Sequence, residues 1–564
     1  MKTHRLLVAL ILLGVIVAVA APAQSLWPRK KLIETGWDQP NTAALRAHLA
    51  EMEKQPFDGL VVGADGKDDA GKSVSLRAIF DPRPWKQQWF QGCVDDLKAI
   101  KPTKLTDNFV TIGNNPATVD WFDDEGFKAI VEHWRIAAWI AKQGGLKGIL
   151  FDPEPYTEGH NSFGYAQQPG REKHTFVEYT AKVRQRGREI MAAVAKEYPD
   201  CTIFSYWMHS INLTAAGQAD ALPSLSVSSQ GFLPAFIDGW LDVIPPAMTL
   251  VDGCESAYMY NSAVPFLQSA VLIKGDCQSL VSPENRAKYR AQVQVSYGIY
   301  LDAYANPVGS PWFIDGLGGP RVDRLRANVT AALKSCDQYV WIYGEKHTWW
   351  PIDRTDINTP WESALPGADA ALRFAADPDG YAQTRLQALR EAGKLVDMAR
   401  NGDFGSEKAT NPDGTEVVYK DGGKPAGWGS WEATDTGSFT WDKLVGNKAP
   451  GAGRAAKVGN GCFIQEISPV KPGERYLVSG TYKLQGQGNA WIRVRWQTAD
   501  NKWIHDQLDR LIYGGGKAGE WVSLSGVAEV PEGVGKIVIL LGVGGQMSEQ
   551  DVVWFDDLHC YELD

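Results

Sequence analysis

The feature that most constrains the fold is an alternation of short β-rich runs and amphipathic helical stretches over residues 31–344. Between the runs, apolar residues recur three and four positions apart, as in 42–55, 126–145 and 175–198. Eight runs predict strands, at 31–37, 59–64, 108–113, 147–152, 201–207, 247–253, 297–304 and 338–344. Alternating β and α elements fold into parallel strands with right-handed crossovers, so this pattern predicts an α/β fold, a closed (β/α)8 TIM barrel.

A doubly wound open sheet would show the same alternation. Such sheets commonly hold a dinucleotide at a G-x-G-x-x-G turn that follows the first strand. Residues 38–44, after the first predicted strand, read DQPNTAA and contain no glycine. The sequence therefore favours the barrel.

The character of the sequence changes near residue 401. Helical periodicity continues through 368–400, which we interpret as helices that close the barrel. Short alternating runs then predict strands at 462–467, 475–484, 490–498, 521–530, 536–544 and 551–563. We predict a catalytic barrel over 26–400 and an antiparallel, jelly-roll-like β-sandwich over 401–564.

The first 25 residues have the pattern of a secretory signal peptide. A basic start with Lys2 and Arg5 is followed by an apolar stretch and by small residues at Ala21 and Ala23. Cleavage of this segment, 1–25, would deliver the chain to the periplasm or the exterior, with no stable membrane association. A single uncleaved membrane anchor is the alternative, although the apolar stretch is short for a membrane span.

Charge and composition argue against several classes of function. The formal net charge is −10 and the basic residues are dispersed, which disfavours a nucleic-acid or anionic-membrane surface. The seven cysteines show no C-x-x-C spacing and the nine histidines no H-x-H or H-E-x-x-H motif, so we expect no cofactor for catalysis. The 22 tryptophans suit stacking on sugar faces, with ordinary core packing as the alternative.

Acidic and aromatic residues gather where the predicted barrel strands end, which is the functional face of this fold. The acids at these positions are Asp38, Asp152, Glu154, Asp252, Glu255, Asp302 and Glu345. The accompanying aromatic and imidazole side chains are Trp37, Tyr156, Trp207, His209, Tyr258, His347, Trp349 and Trp350. Acids surrounded by aromatics are typical of a sugar cleft, so we predict that these residues bind a carbohydrate substrate.

The stretch GILFDPEPY, residues 148–156, carries the candidate catalytic pair. Asp152 and Glu154 are two residues apart on an extended segment, so their side chains should point to the same side. Two close carboxyls tend to share one proton near neutral pH. We predict Glu154 as the general acid, with Asp152 raising its proton affinity.

Hydrolysis with two carboxylates needs a partner for Glu154. Glu255, in the turn after the sixth predicted strand, is the preferred nucleophile or general base, with Glu345 and then Asp302 as alternatives. A purely structural interpretation is that Asp152 caps the following loop and that Glu154 pairs with a lysine.

GILFDPEPY resembles the D-x-E strand of family 18 chitinase-like hydrolases, in which the final Glu is the acid and the Asp two residues earlier orients the substrate acetamide. The upstream acids of that motif are replaced here by Lys147 and Leu150. The PEP segment also resembles the Asn-Glu-Pro turn of the large retaining β-glycosidase clan, with Pro153 in place of the Asn. These resemblances imply a barrel glycoside hydrolase and leave its family open.

The C-terminal region resembles the sandwich carbohydrate-binding modules of the family 4 and 9 type. The segments that carry the resemblance are NGDF at 401–404, GW at 427–428, residues 464–483 and WFDDLHCYEL at 554–563. The resemblance implies a structural Ca²⁺ for which Asp403 and Asp557 would supply oxygen ligands, with ordinary surface carboxylates as the alternative.

Exposed aromatics of this domain are predicted to contact glycan. The candidates are Trp428, Trp431, Trp496 and Trp503. The alternative is that the domain only packs on the barrel.

Together these features predict a secreted glycoside hydrolase that cleaves a poly- or oligosaccharide by carboxylate acid–base chemistry. Two alternatives stay open: a noncatalytic carbohydrate-binding protein whose barrel keeps the cleft, and a barrel of unrelated activity such as a lyase or transglycosylase. The oligomeric state is open as well.

Overall fold

The computed structural model describes residues 29–351, 356–406, 408–410, 414–418, 423–434 and 436–564. The predicted signal peptide, 1–25, lies outside the described residues. The chain divides into two compact units, of which one is Pro28–Asp377 and the other contains Pro378–Asp564. The helix Pro378–Glu391, which we expected to close the barrel, therefore belongs to the C-terminal unit.

The N-terminal unit is a parallel β-barrel, as the alternation predicts. Its strands are β1 (Lys31–Gly36), β2 (Gly59–Val62), β3 (Asp65–Lys67), β4 (Ser73–Ser75), β5 (Phe109–Gly113), β6 (Gly148–Asp152), β7 (Thr202–Ser205), β8 (Thr249–Asp252), β9 (Val293–Val295), β10 (Tyr297–Tyr300) and β11 (Tyr339–Gly344). Strands β3 and β4 form a separate antiparallel hairpin. The others form one parallel sheet in the order β10-β11-β1-β2-β5-β6-β7-β8-β9.

The ring closes through one interrupted strand. β9 pairs with β8, β10 pairs with β11, and only Ser296 separates the two segments. The backbone N–H of Ser296 donates to the carbonyl oxygen of Asp252 (2.8 Å), and that of Asp337 donates to the carbonyl oxygen of Val295 (2.9 Å). The two segments therefore occupy one strand position, and the predicted (β/α)8 barrel is confirmed.

The seventh predicted strand, 297–304, differs most from the structure. It stops at Tyr300, because Asp302–Ala305 forms a helical turn, and the strand position begins earlier, with Val293–Val295. Those valines follow directly on the helix Arg286–Gln292. Their short alternation is obscured in the sequence by the helical pattern that precedes it.

Helices lie between the barrel strands and after the last of them, β11. They are α1 (Thr42–Met52), α2 (Gln91–Lys98), α3 (Asp124–Gln143), α4 (Phe176–Glu197), α5 (Leu213–Ala216), α6 (Leu222–Val227), α7 (Leu233–Val243), α8 (Ala263–Lys274), α9 (Arg286–Gln292), α10 (Asp302–Ala305), α11 (Arg321–Ser335), α12 (Trp361–Ala364) and α13 (Ala368–Ala376). Short 3₁₀ helices are Gln87–Phe90, Tyr165–Gln167, His209–Asn212, Glu255–Met259, Asp276–Leu280 and Pro283–Asn285. Thr175 and Glu178 form a capping box that fixes the start of α4.

The barrel strands are buried on both faces. Every residue of β2, β5, β6, β7 and β10 is buried, as expected for strands between a filled barrel interior and a layer of helices. All seven cysteines are buried free thiols. Within the described ranges, no helix has both the length and the apolar character needed to cross a bilayer.

The C-terminal unit combines α14 (Pro378–Glu391) with an antiparallel β-sandwich, which confirms the predicted second fold. Its strands are β12 (Lys408–Thr410), β13 (Glu416–Val418), β14 (Gly429–Glu432), β15 (Ser438–Asp442), β16 (Ala452–Ala456), β17 (Asn460–Ile467), β18 (Arg475–Gln485), β19 (Asn489–Gln497), β20 (Arg510–Ile512), β21 (Trp521–Glu529), β22 (Lys536–Gly544) and β23 (Val552–Glu562). Two five-stranded sheets, β14-β17-β22-β19-β20 and β15-β16-β23-β18-β21, enclose a core that includes Phe463, Ile492 and Phe555. Helix α14 contacts the last strand region of the sandwich, because Arg385 Nε donates to the carbonyl oxygen of Leu563 (2.7 Å).

Candidate active site

A cavity of about 1080 Å³ opens at the carboxyl ends of the barrel strands. Its wall includes residues that follow β1, β2, β6 and β11, among them Trp37, Gly63, Glu154 and Glu345. Tyr343, near the end of β11, lines the cavity as well. TIM barrels carry their active sites on this face, so the cavity is the candidate active site.

Asp152, Glu154 and Tyr156 form one hydrogen-bonded group at the end of β6. The backbone N–H of Glu154 donates to Asp152 Oδ1 (3.0 Å). The hydroxyl of Tyr156 lies 2.9 Å from Asp152 Oδ2 and 2.8 Å from Glu154 Oε2. The two carboxyls thus lie together, as the i, i+2 spacing predicts, and a tyrosine bridges them.

The hydrogen bonds at Tyr156 can include one additional proton, held by a carboxyl. A tyrosine hydroxyl carries a single hydrogen, so it can donate to only one of two ionised carboxylates at a time. If Asp152 carries a proton, its carboxyl donates to the Tyr156 oxygen while the Tyr156 hydroxyl donates to Glu154, and both contacts become hydrogen bonds. Burial raises the pKa of Asp152 to about 6, which puts such a proton within reach of neutral pH.

Arg77 completes the group, and no motif in the sequence points to it. Its Nη2 donates to Asp152 Oδ2 (2.9 Å), and its guanidinium carbon lies 5.5 Å from the centroid of the Tyr156 ring. The positive charge lowers the pKa of Asp152 against the larger effect of burial. Arg77 therefore holds both Asp152 and Tyr156 in place at the cavity wall.

Glu255 is placed by an unusual turn after β8. Cys254 has left-handed backbone angles (φ 42°, ψ 62°), which non-glycine residues adopt rarely, and the 3₁₀ helix Glu255–Met259 begins directly after it. The backbone N–H of Glu255 donates to the carbonyl oxygen of Tyr206 (3.2 Å). The side chain of Glu255 is half-buried.

The pKa of Glu255 is raised to about 8. Burial is the largest cause, followed by the charges of Glu154, Asp152 and Glu345. The pKa of Tyr343 is raised as well, first by burial and then by charges that include those of Glu345, Asp152 and Glu255. Acids from three strand ends thus act on one another electrostatically, and those that follow β6 and β11 line the cavity.

Glu345 and Asp302 have different roles. Glu345 lines the cavity and accepts a hydrogen bond from the Tyr300 hydroxyl (2.9 Å). Asp302 is fully buried, and its Oδ2 accepts the backbone N–H of Glu345 (2.8 Å). Asp302 therefore orients the Glu345 backbone, and we no longer place it in contact with substrate.

Asp38, Trp349 and Trp350 form a buried contact between two loops. Asp38 Oδ2 accepts the backbone N–H of Trp349 (2.9 Å), and Trp350 Nε1 donates to the carbonyl oxygen of Asp38 (3.1 Å). Burial raises the pKa of Asp38 and also that of its neighbour Glu34 on β1. The expectation that these three residues bind substrate is corrected, because their side chains fix the loop after β11 to the loop after β1.

Three further residues from the sequence-based set are also buried. His209 is fully buried with its ring 5.1 Å from that of Tyr289, and Trp207 is also buried. Tyr258 is buried and stacks on Tyr343 with 5.9 Å between ring centroids, so it supports the cavity wall from behind. Direct sugar contact is not assigned to any of the three.

His347 is half-buried against Trp361, with 4.9 Å between ring centroids. Trp37 and Tyr156 line the cavity with half of their surface exposed. Of the predicted aromatic and imidazole residues, these two are the ones placed to contact a sugar.

The predicted calcium ligands, Asp403 and Asp557, each have protein partners in this structure, and the calcium site stays a prediction. Asp557 is already bound by Lys448 Nζ (3.2 Å) and Asn447 Nδ2 (2.8 Å), and Asp403 accepts the backbone N–H of Gly405 (3.2 Å). Among the described residues, no three His, Cys, Asp or Glu side chains are grouped so that they could hold a metal ion.

Two of the four candidate tryptophans of the sandwich are core residues. Trp428 is buried against Phe404 at 5.2 Å between ring centroids, and Trp496 is buried in the same core. Trp431 and Trp503 are each 52% exposed. The first pair is therefore removed from the predicted glycan contacts and the second is kept.

Trp431 belongs to a row of residues across the outer face of its sheet. It pairs with Cys462, which pairs with Gly542, which pairs with Trp491. A Cβ at Gly542 would lie 2.2 Å from the indole of Trp491, so glycine lets this ring lie flat on the strand. Sequence reasoning missed Trp491, because only the pairing of β19 with β22 places it on this face.

No protein-family model matches the chain, and no curated protein matches it. Among solved structures, it is similar to the enzymatically active domain of bacteriophage CBA120 tailspike protein 4 (14% identity, 30% of this chain, 21% of that chain, TM-score 0.23). It is similar to the CBM22-1 and GH10 modules of Clostridium thermocellum endo-1,4-β-D-xylanase 10B (16% identity, 24% of this chain, 26% of that chain, TM-score 0.20). It is also similar to the CBM22-1 xylan-binding domain of Paenibacillus barcinonensis Xyn10C (10% identity, 30% of this chain, 96% of that chain, TM-score 0.21). The chain thus spans about a quarter of the first two structures, and these likenesses identify no family.

Proposed function

We propose that the barrel unit is a glycoside hydrolase that cleaves a poly- or oligosaccharide by carboxylate acid–base chemistry. The main support is a cavity lined by Asp152, Glu154 and Glu345, whose charges act on Glu255, with a tyrosine bridging Asp152 and Glu154. Such a cluster provides both a proton donor and an ionised partner, which the cleavage of a glycosidic bond requires.

The structure favours roles opposite to those expected from the sequence. A proton donor must keep its proton near neutral pH, and the raised pKa of about 8 meets this need at Glu255. Glu154 is exposed at the cavity, and its Oε2 accepts a hydrogen bond from the Tyr156 hydroxyl, which orients the carboxyl for attack. We therefore assign proton donation to Glu255 and the nucleophile or general-base role to Glu154.

The proposed reaction combines a proton transfer to the leaving group with an attack at the anomeric carbon. The carboxyl proton of Glu255 moves to the glycosidic oxygen as the bond from that oxygen to the anomeric carbon breaks. Glu154 either attacks the anomeric carbon or takes a proton from the water that attacks it. Asp152, Tyr156 and Arg77 hold Glu154 for this step through the contacts described above.

The two roles are tested with leaving groups of different strength. Glu255→Gln should lower turnover of an unactivated glycoside by a factor on the order of 10² to 10⁴. It should spare a dinitrophenyl glycoside, whose leaving group departs without protonation. Glu154→Gln should impair both substrates. If Glu255→Gln impairs both and Glu154→Gln spares the activated one, the sequence-based roles are right and ours are wrong.

The alternative is a noncatalytic carbohydrate-binding protein that has kept the cleft. In that case polysaccharides bind the wild-type chain, but no reducing ends appear, and the two Gln variants bind as the wild type does. Release of reducing ends that disappears in either variant excludes this alternative.

We also propose that the outer face of the sheet containing β14, β17, β22 and β19 binds glycan. Trp431 and Trp491 offer two indole faces in one row. The guanidinium carbon of Arg495 lies over the Trp503 ring, 4.3 Å from the ring centroid. Flat apolar rings with a polar edge suit the faces of sugar rings.

Export remains part of the proposal, and it rests on the basic, apolar and small-residue pattern of residues 1–25. The N-terminal sequence of the protein recovered from a secreting host tests it. A mature chain that starts near residue 26 supports export, whereas an intact N-terminus in the cytoplasmic fraction contradicts it.

A further inference from the structure

The cavity extends beyond the acids to one side of the barrel mouth. Its lining continues over the loop after β1 at Trp37, onto α1 at Asn41 and His48, and onto the β3–β4 hairpin at Asp65. We call this part of the cavity the rim arm and define it by these four residues. It lies on the β1 and β2 side of the ring, whereas the acids follow β6, β8 and β11.

The rim arm gives the cavity more room than one sugar ring needs. The whole cavity measures about 1080 Å³. Pockets that enclose a drug-sized ligand measure about 300 to 1,000 Å³. A single sugar ring at the acids would therefore leave the arm unfilled.

The side chains of the arm suit sugar hydroxyls and ring faces. The Trp37 indole is 50% exposed at the cavity. Asn41 is exposed, and because its Oδ1 accepts the backbone N–H of Ala44 (2.8 Å), its amide NH₂ is the group offered to a ligand. His48 lines the cavity, is half-buried, and lies at a break in α1 (φ −120°, ψ 17°).

The charge of the lining points to a neutral chain. Asp65, Glu154 and Glu345 line the cavity together with the buried Asp152. The guanidinium of Arg77 is already paired with Asp152. A sugar that carries carboxylate or sulfate groups would meet an excess of negative charge here.

We propose that the rim arm binds the sugar units next to the one that is cleaved, so the substrate is a neutral oligosaccharide or polysaccharide chain and not a simple glycoside. This inference rests on the proposed function, because it places the cleaved bond at the acids. Asn41 and His48 are specificity-determining residues in this proposal. Binding energy gained by distant sugar units then raises the rate at the acids.

Chain-length dependence tests the proposal. Cello-, xylo-, laminari- and malto-oligosaccharides of two to six units are compared with the wild type, Asn41→Ala and His48→Ala. In the series that is cleaved, kcat/KM should rise by about 10- to 100-fold from the disaccharide to the longer chains. Each substitution should remove about 3- to 10-fold of that gain, so its effect should grow from the disaccharide to the longer chains.

A matched control is Glu51→Ala, a change at an exposed residue of α1 that does not belong to the arm. It should leave the length dependence intact. If all chain lengths lose activity equally in Asn41→Ala and His48→Ala, these residues only support the fold and the proposal fails.

Calorimetric binding to the Glu154→Gln variant separates this proposal from the hydrolase itself. Affinity that rises with chain length and falls in Asn41→Ala supports the arm even if the wild type cleaves nothing. Cleavage that depends on Glu154 but not on chain length in any series overturns the arm and leaves the hydrolase standing. Tetragalacturonate that binds as tightly as the best neutral tetrasaccharide overturns the assignment of a neutral chain.

Discussion

The segments that follow β6 and β11 both carry an acid followed by aromatic residues, but the structure places these aromatic side chains in opposite environments. After β6, Glu154 and Tyr156 stand at the cavity, with Tyr156 53% exposed. After β11, Trp349 and Trp350 turn back into the protein and are 8% and 3% exposed. Acid followed by aromatic at a strand end therefore describes both a candidate catalytic group and a structural contact.

The hydrogen-bond partners of the buried acids distinguish the two cases. Asp38 and Asp152 are each 1% exposed. Each accepts a backbone N–H, from Trp349 at Asp38 and from Glu154 at Asp152, but Asp152 also accepts hydrogen bonds from the Arg77 and Tyr156 side chains at the cavity wall. A carboxylate bound by backbone groups fixes a loop, while one shared among titratable side chains can exchange a proton.

The largest effect is expected on the β11 side. Trp349→Ala removes a buried indole that packs edge-on against Phe57 at 5.1 Å between ring centroids. The free energy of unfolding of the barrel unit should fall by about 3 to 5 kcal/mol, because the site cannot collapse around the lost ring. Urea unfolding followed by circular dichroism measures this.

Trp37→Ala is the matched control, since Trp37 is a half-exposed tryptophan on the loop that Trp349 contacts through Asp38. It should change the unfolding free energy by less than about 1 kcal/mol. Equal losses in the two variants would show that exposure does not separate structural from ligand-facing tryptophans here.

The β6 side should respond in activity and not in stability. Tyr156→Phe removes the hydroxyl that bridges Asp152 and Glu154, so kcat/KM should fall by about 10- to 100-fold. Stability should change by less than about 1 kcal/mol, because the ring is half exposed and stays in place. Tyr513→Phe, at an exposed tyrosine of the C-terminal unit, should leave both measurements unchanged.

The fold was predictable because the signals that encode it are local. The eight strand positions and the sandwich each follow from short apolar periods between turns, and the structure confirms both architectures. The seventh strand position was misplaced where its first half, Val293–Val295, runs on from a helix. Its pairing with β8 is a tertiary interaction that no local period reports.

The candidate site was predictable only where its residues are neighbours in sequence. Asp152, Glu154 and Tyr156 share one pentapeptide, and the structure places them together. Arg77 lies 75 residues from Asp152 along the chain, and no spacing links the two. Which strand-end residues face inward depends on the crossing of loops, so the burial of Trp349 could not be anticipated.

The pH dependence should reflect both sides of the acid cluster. Glu255 must be protonated to donate, so kcat/KM on an unactivated substrate should fall about tenfold per unit as pH rises through about 8. Protonation of Asp152 near pH 6 weakens its pairing with Arg77, so activity should also decline below about 6. A pH–rate profile of the wild type measures both limbs.

Glu255→Gln on a dinitrophenyl glycoside provides the internal check. This variant has no carboxyl proton to lose, so the alkaline decline should vanish while the acid decline persists. An alkaline decline that survives the substitution would show that another group is the proton donor.

The smallest effect is expected at the sandwich, where an exposed and a buried tryptophan can be compared as on the barrel. The test uses the full-length Glu154→Gln variant, which limits breakdown of the polysaccharide. In this background Trp431→Ala should weaken binding by about 2- to 10-fold, because one aromatic contact supplies about 0.5 to 1.5 kcal/mol. Affinity electrophoresis in gels that contain the polysaccharide measures the change. Trp428→Ala instead removes a ring stacked on Phe404 and should destabilise the C-terminal unit. Trp431 is 52% exposed, so its removal should leave the circular dichroism like that of its parent. Unchanged mobility of Trp431→Ala would then remove this face from the proposed glycan contacts.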